Sequence, residues 1–108
     1  MDLTALEQHV MLAIMRLHPS AYGVSIQDDL KSRFNRDVAF GTIYACLDRL
    51  EEKGFVETRQ GEVTPQRGGR RKLYFALTAT GQSTLQASLN ALNAATKGIK
   101  WTETANVL

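Results

Sequence analysis

At Gly54 the chain changes period, and this limits the folds open to it more than any other feature. Up to that point apolar residues recur at helical spacing. Leu3, Leu6, Val10, Ala13, Ile14 and Leu17 mark a first helix over 4–17, which Pro19 ends. Ser20 offers an N-cap for a second helix carrying Ile26, Leu30 and Phe34 on one face, and "NRDV" (35–38) reads as a turn. A third helix begins near Gly41–Thr42. Its stripe is Ile43, Cys46, Leu47 and Leu50, and Lys53 and Gly54 supply a C-terminal cation and a stop.

After Gly54 the chain turns β-branched and aromatic, in "FVETRQ" (55–60) and again in "KLYFAL" (72–77). Between them, "GEVTPQRGGR" is too rich in glycine and proline for either period, so the two runs predict a β-hairpin with an extended tip. Alternation in the second strand puts Leu73, Phe75 and Leu77 on one face and Lys72 and Tyr74 on the other, with Tyr74 expected to pack under the hairpin or else to reach a phosphate with its hydroxyl. Thr78 then caps a last helix, on which Leu85, Leu89, Leu92, Thr96 and Ile99 repeat as a short heptad seam; Gly98 ends or frays it.

Three helices, a hairpin and a further helix make an α+β, mainly α, winged helix-turn-helix with a C-terminal dimerisation helix. The expected division is a DNA-binding domain over 1–77, a dimerisation helix over 78–100 and a tail over 101–108. With 108 residues the chain has room for one domain, and its 44% apolar content is that of a globular protein. No run of about eighteen apolar residues is present, so no membrane-spanning helix is expected. Asp2 and Glu7 stand where a signal peptide carries positive charge, so the expected location is cytoplasmic. His9, His18 and the single Cys46 make neither a metal cluster nor, with their neighbours, a nucleophile–base set. Cys46 reads as core, no cofactor is expected, and the chain does not read as an enzyme.

Charge points toward a partner. The net charge is only +2, but "QRGGRRK" (66–72) gathers Arg67, Arg70, Arg71 and Lys72, leaving the rest of the chain slightly acidic. Such a cluster on a hairpin tip is the footprint of a phosphate-seeking loop, supplying affinity and salt dependence more than sequence choice. In the third helix the outward residues include Thr42, Tyr44, Ala45, Asp48 and Arg49. The Thr42 and Tyr44 hydroxyls can bond phosphate or a base edge, and Arg49 can reach backbone or guanine. Alternatively Tyr44 covers core and Arg49 pairs with Glu52 or Asp48. Asp48 is expected to face an arginine of the fold, or else to accept from a cytosine amino group. Tyr22, at the start of the second helix, either touches phosphate or packs. The partner is therefore double-stranded DNA; a winged helix used for protein contact, with no DNA binding, is the alternative.

"AYGVSI" (21–26), "GTIYACLDRLEEKGFVE" (41–57) and "GGRRKLYFALTATG" (68–81) together resemble the sequence blocks of PadR-family transcriptional regulators. The matching residues are Thr42, Ile43 and Tyr44, then Leu47, Leu50, Glu51 and Gly54, and in the wing Gly69 to Lys72, Tyr74, Leu77, Thr78 and Gly81. Ala45 stands where many members carry proline. The short stretch after the last helix resembles the subfamily with a single C-terminal helix. The resemblance implies a homodimeric repressor on a pseudo-palindromic operator, released in some members by small aromatic or lipophilic effectors. The candidate dimer residues are Met11 and Met15, off the main stripe of the first helix, with Leu85, Leu89, Leu92 and Ile99. The alternative is a last helix folded back on its own domain. Trp101 is the candidate effector contact, or else a dimer or tail residue.

Overall fold

The computed structural model describes residues 2–63 and 71–102. Helices α1 (Ala5–Leu17), α2 (Gly23–Phe34) and α3 (Phe40–Glu52) precede strands β1 (Val56–Val63) and β2 (Arg71–Leu77), and α4 (Ala79–Ala95) follows. This is the expected winged helix-turn-helix order, with α4 appended. Among the described residues no helix is long and apolar enough to cross a membrane.

The helices pack through the stripes read from the sequence. Val10, Met11, Ala13 and Ile14 of α1 meet Ile26 and Leu30 of α2 and Ile43, Cys46, Leu47 and Leu50 of α3 in one core. Phe55, Val56, Phe75, Leu77 and Leu85 close it from the hairpin and α4. Leu73 shares the face of Phe75 but lies past the edge of the core, 42% exposed. Cys46 is a core residue, its thiol pushed up to about 11 by burial.

Ion pairs and caps lock the helices in place. Thr4 and Glu7 form a capping box: Thr4 Oγ1 accepts from the Glu7 amide at 3.1 Å, and Glu7 Oε1 accepts from the Thr4 amide at 2.8 Å. The other Glu7 oxygen accepts from Lys53 Nζ at 2.8 Å, tying the start of α1 to the end of α3. Arg16 forms a salt bridge to the buried Asp29 and stacks on Phe34, joining α1 to α2. Phe34 also carries the His9 ring at 3.8 Å, and His9 Nδ1 lies 3.2 Å from the Arg36 guanidinium.

Several boundaries differ from the sequence expectation, among them the end of β1, which runs on to Val63 instead of stopping at Gln60. Helix α2 begins at Gly23, with Tyr22 rather than Ser20 as its N-cap residue. The Ser25 hydroxyl, inside the first turn, accepts from the Tyr22 amide at 2.9 Å and does the local capping that Ser20 was expected to do. Helix α4 ends at Ala95, and Gly98 takes a positive φ of 83° beyond it, so Ile99 is not on the helix.

Strands β1 and β2 pair antiparallel, with Val56 opposite Leu77, Thr58 opposite Phe75 and Arg59 opposite Tyr74. Beyond Gln60 the register slips until Val63 meets Arg71, a bulge in β1. Thr78 caps α4 as expected, its Oγ1 accepting from the Gly81 amide at 3.0 Å. It also donates to the Gly54 carbonyl at 2.7 Å. Gly81 sits so close to the α3–β1 turn that a Cβ there would run into the Phe55 backbone, with its carbonyl carbon at 2.9 Å.

Candidate nucleic-acid interface

The buried stripe of α3 fixes which side of that helix faces outward. Ile43, Cys46 and Leu50 are fully buried, so Thr42, Tyr44, Ala45, Asp48 and Arg49 are exposed together. No side chain caps the first turn of α3, and Gly41 opens on empty space. The positive end of the α3 dipole is therefore offered to an incoming anion without a carboxylate in the way. Arg49 and Asp48 make no salt bridge among the described residues. Among the described residues, which leave out Arg67 and Arg70, Asp48 has no arginine partner, and Arg49 stands on the open face.

Tyr44 covers its neighbours and yet stays partly open to solvent. Its side chain lies against Gly23 so closely that any Cβ at that position would collide with the Tyr44 hydroxyl and ring. Its ring also sits 6.5 Å from that of Phe75. Even so, 43% of the residue stays exposed. Tyr44 is wedged between the start of α2 and the wing, with one edge left for contact. Gly23 is what makes this wedge possible, and the Tyr-Gly pair of the sequence has its physical reason here.

The wing strands are bound to the same corner. The Phe75 amide donates to the Ala21 carbonyl at 2.8 Å, pinning β2 beside the α1–α2 turn. Lys72 is half-buried, its Nζ 4.2 Å from the centre of the Tyr22 ring. Tyr74 packs as expected, edge-on to Tyr22 at 5.9 Å. Arg67 and Arg70 lie outside the described residues, and of Arg71 only the backbone, the first residue of β2, is described. The structure thus brings Tyr44, Tyr22 and Lys72 to one corner of the molecule, with Thr42 exposed in the first turn of α3 and Arg49 farther along it.

Phe40 was missed by the sequence reading. It begins α3 and is 42% exposed. Its spacing, three residues before Ile43, marks it as core, so periodicity gives no sign of its exposure. At the open end of the helix its ring suits a thymine methyl.

The expected dimer residues divide. Met11 is fully buried and Leu85 is 4% exposed in the core of the single chain, so neither has surface to offer a second copy. Helix α1 packs against α2, α3 and β2 and α4 against β2, and Met11 and Leu85 belong to the one core these elements share. Leu89 is half-buried against the core, while Met15, Leu92, Ile99 and Trp101 are exposed, at 46%, 59%, 46% and 77%.

Comparison with known proteins agrees with this geometry. The model of the transcriptional regulator PadR-like family matches residues 11–87. An uncharacterized protein of Lysinibacillus sphaericus is 33% identical over 81 residues, covering 71% of this chain and 72% of that protein. A PadR-like transcription factor from Bacteroides fragilis superposes with a TM-score of 0.66 at 32% identity, over 88% of this chain and 89% of its own. A transcriptional regulator from Clostridium thermocellum shares the fold, with a TM-score of 0.70 at 18% identity over 85% and 86% of the two chains.

Proposed function

The chain belongs to the PadR-like family of transcriptional regulators, and from that premise we propose that it is a homodimeric repressor that reads a pseudo-palindromic operator. As a regulator of this family it binds DNA and is not an enzyme. In this reading α3 enters the major groove by its uncapped end. Thr42, Tyr44 and Phe40 meet base edges, Arg49 meets backbone or guanine, and Tyr22 and Lys72 lie toward the flanking phosphates. Arg67, Arg70 and Arg71 of the wing add phosphate contacts and salt dependence.

The observation that carries this reading is the α3 face itself. Its apolar stripe is used up in the core, and what remains outward is an uncapped helix start, exposed Thr42 and Tyr44, and Arg49, which has no salt bridge among the described residues. The dimer is supported by the outer part of α4, where Leu92 is left bare. Met15, Leu89, Leu92 and Ile99 form the interface, without Met11 and Leu85. Trp101, just beyond it, is assigned to an aromatic or lipophilic effector.

Selection of bound sequences from a random duplex pool tests the reading. The expected product is an inverted repeat with half-sites about one helical turn apart. Single, unpaired half-sites, together with light scattering that finds only the 12.0 kDa chain, would overturn the dimer. A pool with no enrichment would overturn operator recognition.

A further inference from the structure

The described cations of the wing root are held in an unusual way. Lys72 lies over the ring of Tyr22, and Tyr22 meets Tyr74 at an interplanar angle of 83°. The Arg59 guanidinium lies 4.8 Å from the centre of the Tyr74 ring, and its Nη2 donates to the Pro19 carbonyl at 3.2 Å. Pairing sets Arg59 opposite Tyr74 across the hairpin, and alternation puts Lys72 on the same face as Tyr74. Gly61 completes the arrangement: a Cβ there would strike Tyr74, so the ring can lie flat on β1 only because residue 61 has no side chain. Two cations and two rings, drawn from the α1–α2 turn, β1 and β2, thus make one continuous stack.

Neither Lys72 nor Arg59 makes a salt bridge among the described residues. The choice of partner matters chemically. A carboxylate would order these long side chains but cancel the charge that a phosphate needs. An aromatic face orders them through its quadrupole and leaves the charge intact. Long cationic side chains lose much rotamer freedom when they bind, so holding them beforehand lowers that cost.

We propose that Tyr22 and Tyr74 are positioning residues that hold Lys72 and Arg59, oriented and still charged, for two backbone phosphates of the DNA. Arg59 thereby joins the DNA-contacting residues, and Tyr22 acts through the face of its ring. The proposal rests on the DNA reading above.

The test uses the full chain, a duplex from the selection, and affinity measured across a salt series. Tyr22→Leu is expected to bind roughly fivefold more weakly than the unaltered chain, and Tyr22→Phe, which keeps the ring, is expected to lose clearly less than Tyr22→Leu. Tyr22→Leu, Lys72→Met and Arg59→Met should each lower the salt slope by about one. Tyr22→Leu added to Lys72→Met should cost nothing further, because both remove the same contact. Additive losses, or a Tyr22→Phe loss as large as that of Tyr22→Leu, would overturn the proposal. Proton NMR of the free chain gives a readout that needs no DNA. The Lys72 ε-methylene protons should be shifted upfield by the ring in the unaltered chain and in Tyr22→Phe, and not in Tyr22→Leu. A chain that binds DNA with these protons unshifted overturns the stack alone. A chain that shows the shift but binds no duplex overturns the DNA reading, and with it the purpose assigned to the stack.

Discussion

Helices α3 and α4 carry similar apolar stripes and use them differently. In α3, Ile43, Cys46, Leu47 and Leu50 are all at most 1% exposed. Along α4 burial fades from Leu85 at 4%, through half-buried Leu89, to Leu92 at 59%. Helix α1 reaches both, and again differently. Its Glu7 gives α3 a buried ion pair with Lys53, while the adjacent Gln8 gives α4 a neutral bond, Nε2 to Ser88 Oγ at 2.8 Å. One helix is finished by its own chain; the other is finished only over its first half. An amphipathic stripe states that a face must be covered, and does not state by what.

Substitutions along these two helices can break that comparison. The largest effect belongs to Leu50→Ala, which empties a fully buried site in α3. It should cost about 2–5 kcal/mol in denaturant unfolding. A cost near that of an exposed site would mean that α3 is not the finished helix. Glu7→Gln comes next. It leaves Lys53 without its anion, but Lys53 is 28% exposed and can recover water, so about 1–3 kcal/mol is expected.

The same substitution should change the response to acid. Burial by itself raises the Glu7 pKa, but the bonds from Lys53 and the Thr4 amide outweigh it and hold the group below its ordinary 4.5. A carboxylate depressed in the folded state contributes stability that is present above that ordinary value. The contribution is lost as pH falls through the folded pKa. Acid unfolding monitored below about pH 4.5 should therefore be shallower in Glu7→Gln. His9 is also depressed, by burial and then by Arg36, so it adds a separate loss as pH falls below 6.5. That loss should persist in Glu7→Gln. An unchanged profile below pH 4.5 would remove the ion pair from the account of how α3 is held. Gln8→Ala, the α4 counterpart, should cost about 1 kcal/mol and leave the acid profile as it is.

Much of this was legible in the sequence, for reasons that show where legibility stops. Periodicity gave each helix and the hairpin, and the outward set on α3 follows directly from its stripe. Thr78 as the cap of α4 needed only a local pattern. Thr4 and Glu7 have capping-box spacing, so that cap was readable too, although Glu7's second bond to Lys53 spans 46 residues and was not. Juxtapositions of this kind depend on how elements pack. Tyr44 on Gly23 and Tyr74 on Gly61 both put a ring where a glycine leaves room, and neither pair is near in sequence. Met11 was misread because it falls off the main stripe of α1. A helix that packs against α2, α3 and β2 buries more than one stripe. Phe40 was missed for the opposite reason, since its spacing fits the stripe while its place at the helix start leaves it outside the packing.

The smallest expected effect is also the most telling. Leu92→Ala removes a side chain that is 59% exposed, so it should change unfolding of the dilute single chain by no more than about 0.5 kcal/mol. If a second copy covers this part of α4, the melting temperature of the unaltered chain should rise with protein concentration, because association favours the folded state by mass action. In Leu92→Ala that rise should shrink or vanish while the dilute value stays put. Melting curves across a hundredfold range of concentration make the measurement. A loss in Leu92→Ala that is equal at every concentration would place the outer half of α4 with α3, as a face covered by its own chain. A concentration dependence that the substitution leaves untouched would move the contact between copies to another surface.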